Sequence, residues 1–139
     1  MIIIDTNIIS EMMKPSPNIK VLEWFNKQEA ISLYLTTITI GEIGYGIRAL
    51  PMGKRRELLE QGFEALLTTA FETRILDFNE IAARRYGDIM GGRKEMGRPL
   101  NSLDGQIIAI ARANSCAVAT RNIRDFEFCG LTIINPFNT

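Results

Sequence analysis

Four acids stand where an alternating strand–helix chain would turn them toward one rim. Asp5 closes the apolar run Ile2-Ile3-Ile4, and Glu42 begins an amphipathic segment. Asp104 follows a proline-containing loop at the mouth of another, and Asp125 lies just after Ala117-Val118-Ala119-Thr120-Arg121-Asn122. Acids at strand ends and helix starts of α/β proteins converge on the edge of the sheet where ligands bind. Carboxylates crowded there repel one another unless a divalent cation neutralises them, and hard oxygen ligands suit Mg2+ or Mn2+. The chemistry this implies is metal-dependent phosphodiester hydrolysis. Singly, each acid has a structural alternative: Asp5 or Asp125 as a cap, Glu42 or Asp104 as a partner of a helix dipole. Their joint occurrence in matching contexts favours a shared site.

The elements that must position these acids follow from local pattern. Ile2 to Ile4 reads as a buried parallel strand, with Asp5, Thr6 and Asn7 capping a helix through Ile8, Ile9 and Met12 that ends before Pro15 and Pro17. Further helices are expected over Asn18–Lys27, from Thr39 to Leu50, over Lys54–Phe71, from Asn79 to about Met96, and after Asn101 or Ser102. Strands are expected at Ile31–Leu35, Arg74–Leu76, Ala117–Thr120 and Leu131–Ile134. Short apolar strands alternating with helices predict an α/β fold, a central parallel sheet of four to five short strands with helices on both faces. The consecutive helices after Glu42 depart from a strict β-α-β rhythm and suit a projection or an oligomer contact. Trp24 and Phe25 read as core, and Met12 and Met13 as packing or groove-lining residues.

Composition narrows the chemistry. With 139 residues the chain is expected to form a single domain, residues 1–139. Hydrophobic content of 46% and charged content of 23% are ordinary for a globular protein. Sixteen basic and sixteen acidic residues cancel, so bulk charge makes no case for nucleic-acid binding and local cationic clusters must do it. Histidine is absent, which leaves proton transfer to carboxylates or water. Cys116 and Cys129 form no zinc or CxxC pattern and read as small core residues of a reducing compartment. No segment is long and apolar enough to span a membrane. The N-terminal run lacks a basic flank and is interrupted by Asp5, so a signal peptide is not expected and the cytoplasm is the expected location.

The local contexts together resemble the PIN-domain ribonucleases, and within them the VapC and FitB-like toxins of toxin–antitoxin pairs. The matching pieces are Ile4-Asp5-Thr6-Asn7, Gly41-Glu42-Ile43 with Gly46, Arg98-Pro99-Leu100 before Asp104, Ala119 through Phe126, and Asn135-Pro136. The triplet Asp-Thr-Asn alone is common, but the ordered set spans nearly the whole chain. The resemblance implies a PIN-like fold and a cation, Mg2+ or Mn2+, held by Asp5, Glu42, Asp104 and Asp125, with Thr120 and Asn122 assisting. It also implies an RNA substrate, a homodimer, and a small antitoxin that covers the site, with DNA contacted only through that partner. Asp5 and Asp104 are assigned as direct ligands, and Glu42 and Asp125 as binding through water or orienting the nucleophile. One ion or two would satisfy this set. Gly105 departs from the family, where alanine is frequent.

Substrate phosphates need cations outside the acidic pit. Arg98 and Arg121 lie close to the assigned ligands and are the first candidates, with Arg48, Lys54, Arg55, Arg56, Arg93, Lys94 and Arg124 behind them. The Lys54–Arg56 run has an alternative as a solvated helix face. Thr6 is expected to meet Asp5 or the substrate, Asn7 to be structural, and Thr120 to orient a ligand or simply cap a turn. A receiver-like domain would want a lysine near the last strand, and a haloacid-dehalogenase-type phosphatase a second acid at position 7; neither is present. The remaining rival is a non-catalytic RNA- or antitoxin-binding module that keeps the acidic pit.

Overall fold

In a computed structural model, five parallel strands form one sheet in the order β3-β2-β1-β4-β5. The structure describes residues 1–138. Strand β1 (Ile2–Ile4) lies at the centre, between β2 (Leu33–Thr36) and β4 (Ala117–Ala119). The edges are β3 (Ile75–Leu76) and β5 (Ile133–Ile134). Because side chains alternate across a strand, Ile3 and Ile4 enter different cores, and both are fully buried. Ile3 joins Val118 in a core built with α5 (Glu80–Glu95) and α6 (Ser102–Ala113). Ile4 joins Leu33, Leu35 and Ala119 in a second core, closed by α1 (Thr6–Met12), α2 (Ile19–Lys27), α3 (Thr37–Arg48) and α4 (Lys54–Ala65). The expected parallel sheet with helices on both faces is what forms.

The chain runs outward from β1 to β3, then returns to place β4 on the other side of β1. Connections therefore leave the β1–β4 pair in opposite directions, which opens a crevice at the carboxyl ends of those strands. Register matches Ile4 with Ala119, so Asp5 and Thr120 emerge side by side into that crevice.

Several boundaries differ from expectation. Residues Ala30–Ser32 form a 3-10 turn rather than strand, because Ser32 N and Oγ both bond Glu29 O, and Ile31 is left 72% exposed. The long helix expected through Phe71 changes to a π-helical turn over Leu66–Phe71. There Thr68 and Thr69 hydroxyls bond back to Glu64 and Ala65 carbonyls, a local competition with the helical ladder. Helix α3 begins at Thr37, not Thr39, since Thr36 Oγ1 caps it by accepting from Thr39 N at 3.2 Å. A short helix α7 (Ile123–Phe126) follows β4 and was not foreseen.

Two glycines set the path and packing of α5 and α6, and Gly97 also borders the cleft beside the site. Gly97 adopts φ +76° after α5, Arg98 N bonds Arg93 O at 2.9 Å, and Gly97 N bonds Lys94 O at 2.9 Å. This doubly bonded left-handed stop turns the chain sharply into Arg98-Pro99. Gly105 on α6 faces α5 so closely that a Cβ would press into Met90 Sδ and sit 3.1 Å from Tyr86 Cε2. Glycine there permits tight helix packing, beyond its weakness as a helix former. Gly105→Ala is therefore expected to lower stability by about 1 kcal/mol, overpacking exceeding the gain in helix propensity. Urea denaturation measures it, and a stabilised variant would refute the packing role.

Candidate active site

Asp5 is the hub of the crevice and is only 4% exposed. Its backbone N bonds Ala119 O at 2.9 Å, which extends the β1–β4 ladder one step past the strand. Its Oδ1 accepts from Thr6 N at 2.8 Å as the cap of α1. Its Oδ2 accepts from Thr120 Oγ1 at 2.8 Å and from Asn7 Nδ2 at 3.2 Å. Thr120 Oγ1 in turn accepts from Asn122 N at 3.0 Å, so its own proton points to Asp5. Burial pushes the Asp5 carboxyl up to about 6, opposed by the Thr120 and Thr6 hydrogen bonds and reinforced by the negative charges of Asp104 and Glu42.

Glu42, on α3, is held by hydroxyls. Thr6 Oγ1 donates to Glu42 Oε1 at 2.8 Å and lies 2.9 Å from Thr39 Oγ1. Thr36 Oγ1 donates to Thr39 Oγ1 at 3.4 Å, and Thr36 and Thr39 are both fully buried. The four groups can align as one chain of donors ending on the Glu42 carboxylate, rooted in the cap of α3. Asp104 is set by Asn101, the cap of α6, which accepts from Asp104 N at 2.9 Å and donates Nδ2 to Asp104 Oδ2 at 2.8 Å. Burial raises the Asp104 carboxyl, the Asn101 bond opposes, and Asp125 adds a like charge.

Asp5, Glu42 and Asp104 share a cavity of about 380 Å3 with Thr6, Asn7 and Asn122. Asp125 does not line it. That acid is exposed and belongs to an adjoining cleft of about 620 Å3, together with Arg98, Arg121 and Arg124. Arg121 and Asn122 line both spaces. Thr120 is fully buried under Asp5 and lines neither, so it acts by orienting Asp5. The Thr6 hydroxyl is committed to Glu42 and Thr39, and its backbone to Asp5.

The cations sort by burial. Arg93 was a phosphate candidate, but it is 3% exposed, and its guanidinium bonds the carbonyls of Arg98, Asp125 and Glu127 at 2.8–2.9 Å. It is a brace between loops. Arg56 pairs with Glu60 along the α4 surface, and the Lys54–Arg56 group borders neither space. Arg98 makes a half-exposed pair with Glu127 at 3.4 Å and rests 4.9 Å from the Phe128 ring centre.

Thr39 and Glu11 escaped the sequence reading, and the structural role expected of Asn7 is specific to the site. Asn7, expected to be structural, ties Asp5, Thr120 and, through Oδ1, Arg121 N at 3.2 Å. Thr39 supports Glu42 through Thr6, and Glu11 is a buried acid facing the same cavity. The only sequence signal for Glu11 is proximity to Asp5, whereas Asn7 belongs to the Ile4-Asp5-Thr6-Asn7 motif.

The all-carboxylate donor set fits a hard divalent cation, whose charge would relieve the repulsion that helps raise Asp5. Among the described residues no three acids or thiols lie close enough together to enclose an ion without rearrangement. Asp5 is fixed by three donors, whereas the half-buried Glu42 and Asp104 carboxylates each accept from a single side chain and keep one oxygen to turn toward an ion.

Comparison with known proteins places this geometry. The PIN domain family matches residues 2–128. The VapC ribonuclease Y4jK of Sinorhizobium fredii is 42% identical, the alignment covering 99% of this chain and 98% of that protein. Toxin FitB of Neisseria gonorrhoeae is 35% identical, with 99% of each chain covered. The solved structure of FitAB bound to an IR36 DNA fragment superposes with a TM-score of 0.92 at 35% identity, covering 99% of this chain and 96% of that one.

The raised Asp5 carboxyl has a stability consequence. Its neutral form is favoured by the fold, so the associated stability is fully present below pH 3.8 and is lost as pH rises through about 6. In metal-free protein, the stability of Asp5→Asn relative to wild type should therefore move in the variant's favour by roughly 2–3 kcal/mol between pH 4 and pH 8, on top of a pH-independent cost from turning an amide N–H toward Thr6 N or Asn7 Nδ2. Thermal unfolding in EDTA across that range tests it; a difference that does not change with pH would show that burial does not dominate at Asp5.

Proposed function

The chain belongs to the PIN-domain family, and on that premise we propose that it is a divalent-metal-dependent endoribonuclease, the toxin of a toxin–antitoxin pair. The observation that carries the reading is the buried Asp5 at the β1–β4 crevice, sharing one cavity with Glu42 and Asp104. Relatives named as a VapC ribonuclease and as toxin FitB, aligned over 99% of this chain, support both halves of it.

In this reading Asp5, Asp104 and Glu42 hold the cation, Mg2+ or Mn2+, and Asp125 stands at the entrance. When bound, such an ion lowers the pKa of coordinated water and offsets charge developing on phosphate. The chain's own groups do the rest. Thr120 and Asn7 fix Asp5 in one rotamer, Thr6 fixes Glu42, and Asn101 fixes Asp104. Asn122 borders both spaces, placed to orient water or substrate. Arg98 and Arg124 receive phosphates along the adjoining cleft, and Arg121 stands between that cleft and the cavity. With no histidine in the chain, proton transfer falls to these carboxylates or to water. The residue 1–139 unit acts as one catalytic domain in the cytoplasm, as a homodimer restrained by a cognate antitoxin, with DNA contacted through that partner.

Cleavage of mixed-sequence single-stranded RNA by the purified, antitoxin-free protein tests the reading. Fragments are expected with Mg2+ or Mn2+, none in excess EDTA, and none from Asp5→Asn under any condition. Turnover that survives Asp5→Asn would remove that residue from the mechanism, and RNA binding without cleavage would point to the binding module instead. Arg98→Ala is expected to raise KM severalfold with a smaller effect on kcat; a defect confined to kcat would contradict phosphate positioning.

A further inference from the structure

The cavity that holds Asp5, Glu42 and Asp104 contains a fourth acid, Glu11, and two cations, Lys14 and Arg121. Glu11 lies on α1, 7% exposed, and its oxygens are already engaged. Oε1 accepts from Lys14 Nζ at 2.9 Å and Oε2 from Asn18 N at 2.9 Å. The Lys14 hydrogen bond, then the Asn18 amide, hold its carboxyl below the usual range, and the charges of Lys14 and Arg121 add to this against burial. A carboxylate so occupied is an anchor for cations, in contrast to the three acids beside it.

Arg121 is tethered differently. Its backbone N is fixed by Asn7 Oδ1 at 3.2 Å, and its guanidinium carbon lies 4.4 Å from the centre of the Phe137 ring. Phe137 belongs to the closing 3-10 turn Pro136–Asn138 and packs against the core that includes α1 and α2. Among the described residues Arg121 makes no ion pair, so stacking orients its planar fork while leaving its donors available. Lys14 is 59% exposed at its side chain and spends one of its three donors on Glu11.

A phosphate entering a pit floored by three carboxylates is met by a cation only at the reacting position. The neighbouring phosphates of the same strand need their own counter-charges. The adjoining cleft supplies them on one side through Arg98 and Arg124. We propose that Lys14 and Arg121, set by Glu11 and Phe137 and flanked by Ser10, form a second phosphate subsite at the α1 lip of the pit. It takes a phosphodiester flanking the one that is cut, so the RNA strand crosses the pit between two cationic grips. This subsite rests on the ribonuclease reading, and it assigns Glu11 a positioning task instead of a place among the metal ligands.

The test is binding of a fluorescent, mixed-sequence single-stranded RNA, read by anisotropy in EDTA over increasing KCl, beside cleavage assays in Mg2+ and Mn2+. Lys14→Met, which keeps the side-chain stem, should weaken binding severalfold and lower the slope of log Kd against log salt by about 0.7, one phosphate contact on a single strand. In cleavage it should raise KM more than it lowers kcat. Lys20→Met, the same charge change on exposed α2, should leave the slope unaltered. Phe137→Leu should also weaken binding, with Phe137→Tyr restoring it; a folding defect in the leucine variant leaves the surface Lys14→Met arm intact. Wild-type slope and affinity in Lys14→Met would overturn the subsite, as would absence of RNA binding by the wild-type protein. A slope lost in Lys14→Met alongside no cleavage in either metal would keep the subsite and overturn the nuclease reading.

Discussion

The site depends on one lateral pairing. Asp5 N to Ala119 O, at 2.9 Å, and Thr120 Oγ1 to Asp5 Oδ2, at 2.8 Å, carry the β1–β4 register past the ends of both strands. A strand slip of one residue exchanges the two faces of a sheet. Here it would move Ile3 and Ile4 into each other's cores and carry Asp5 away from Thr120. The apolar packing on both faces therefore fixes the carboxylate's place, and the energy that holds the site comes mainly from the hydrophobic cores. The fold tolerates a buried acid at its centre because hydrogen-bond donors surround it.

Around that centre, capping chemistry recurs. Asp5 caps α1, Thr36 caps α3 and Asn101 caps α6, and each cap either is a site acid or holds one within a few bonds. Helix starts bring unpaired amides and a partial positive charge, which moderates the mutual repulsion at Asp5 and Asp104, whereas Glu42 lies in the second turn of α3 and relies on the Thr6 hydroxyl. The same short polar side chains that begin the helices thus also orient the chemistry.

The sequence carried the parts of this arrangement that are local. The apolar run before Asp5, the Asn101 cap before Asp104 and the order of the motifs were enough for the sheet, the crevice and three of the acids. Long-range geometry was hidden. Asn7 reads as a structural residue at the cap of the first helix until Thr120, 113 positions away, is seen to share its amide. Thr39 looks like one hydroxyl among several in Thr36-Thr37-Ile38-Thr39, and only the approach of α1 to α3 gives it a task. Asp125 is near Asp104 electrostatically yet opens on another space, because α7 turns it outward after β4. Arg93 reads as a phosphate candidate, and its burial against three carbonyls is something no pattern in the primary structure announces.

That arginine also constrains how the protein can change. Its single guanidinium joins the turn after α5, which bears Arg98, to the segment after β4, which bears Asp125 and Glu127. The two loops are far apart in sequence but form one mechanical piece at the mouth of the cleft. In a chimera with a relative, exchanging either loop alone would leave buried carbonyls or a buried cation without its partner. Residues 93–98 and 125–129 should therefore travel as one module. Substitutions there are expected to be epistatic, and divergence in substrate preference to proceed by paired steps in the two loops.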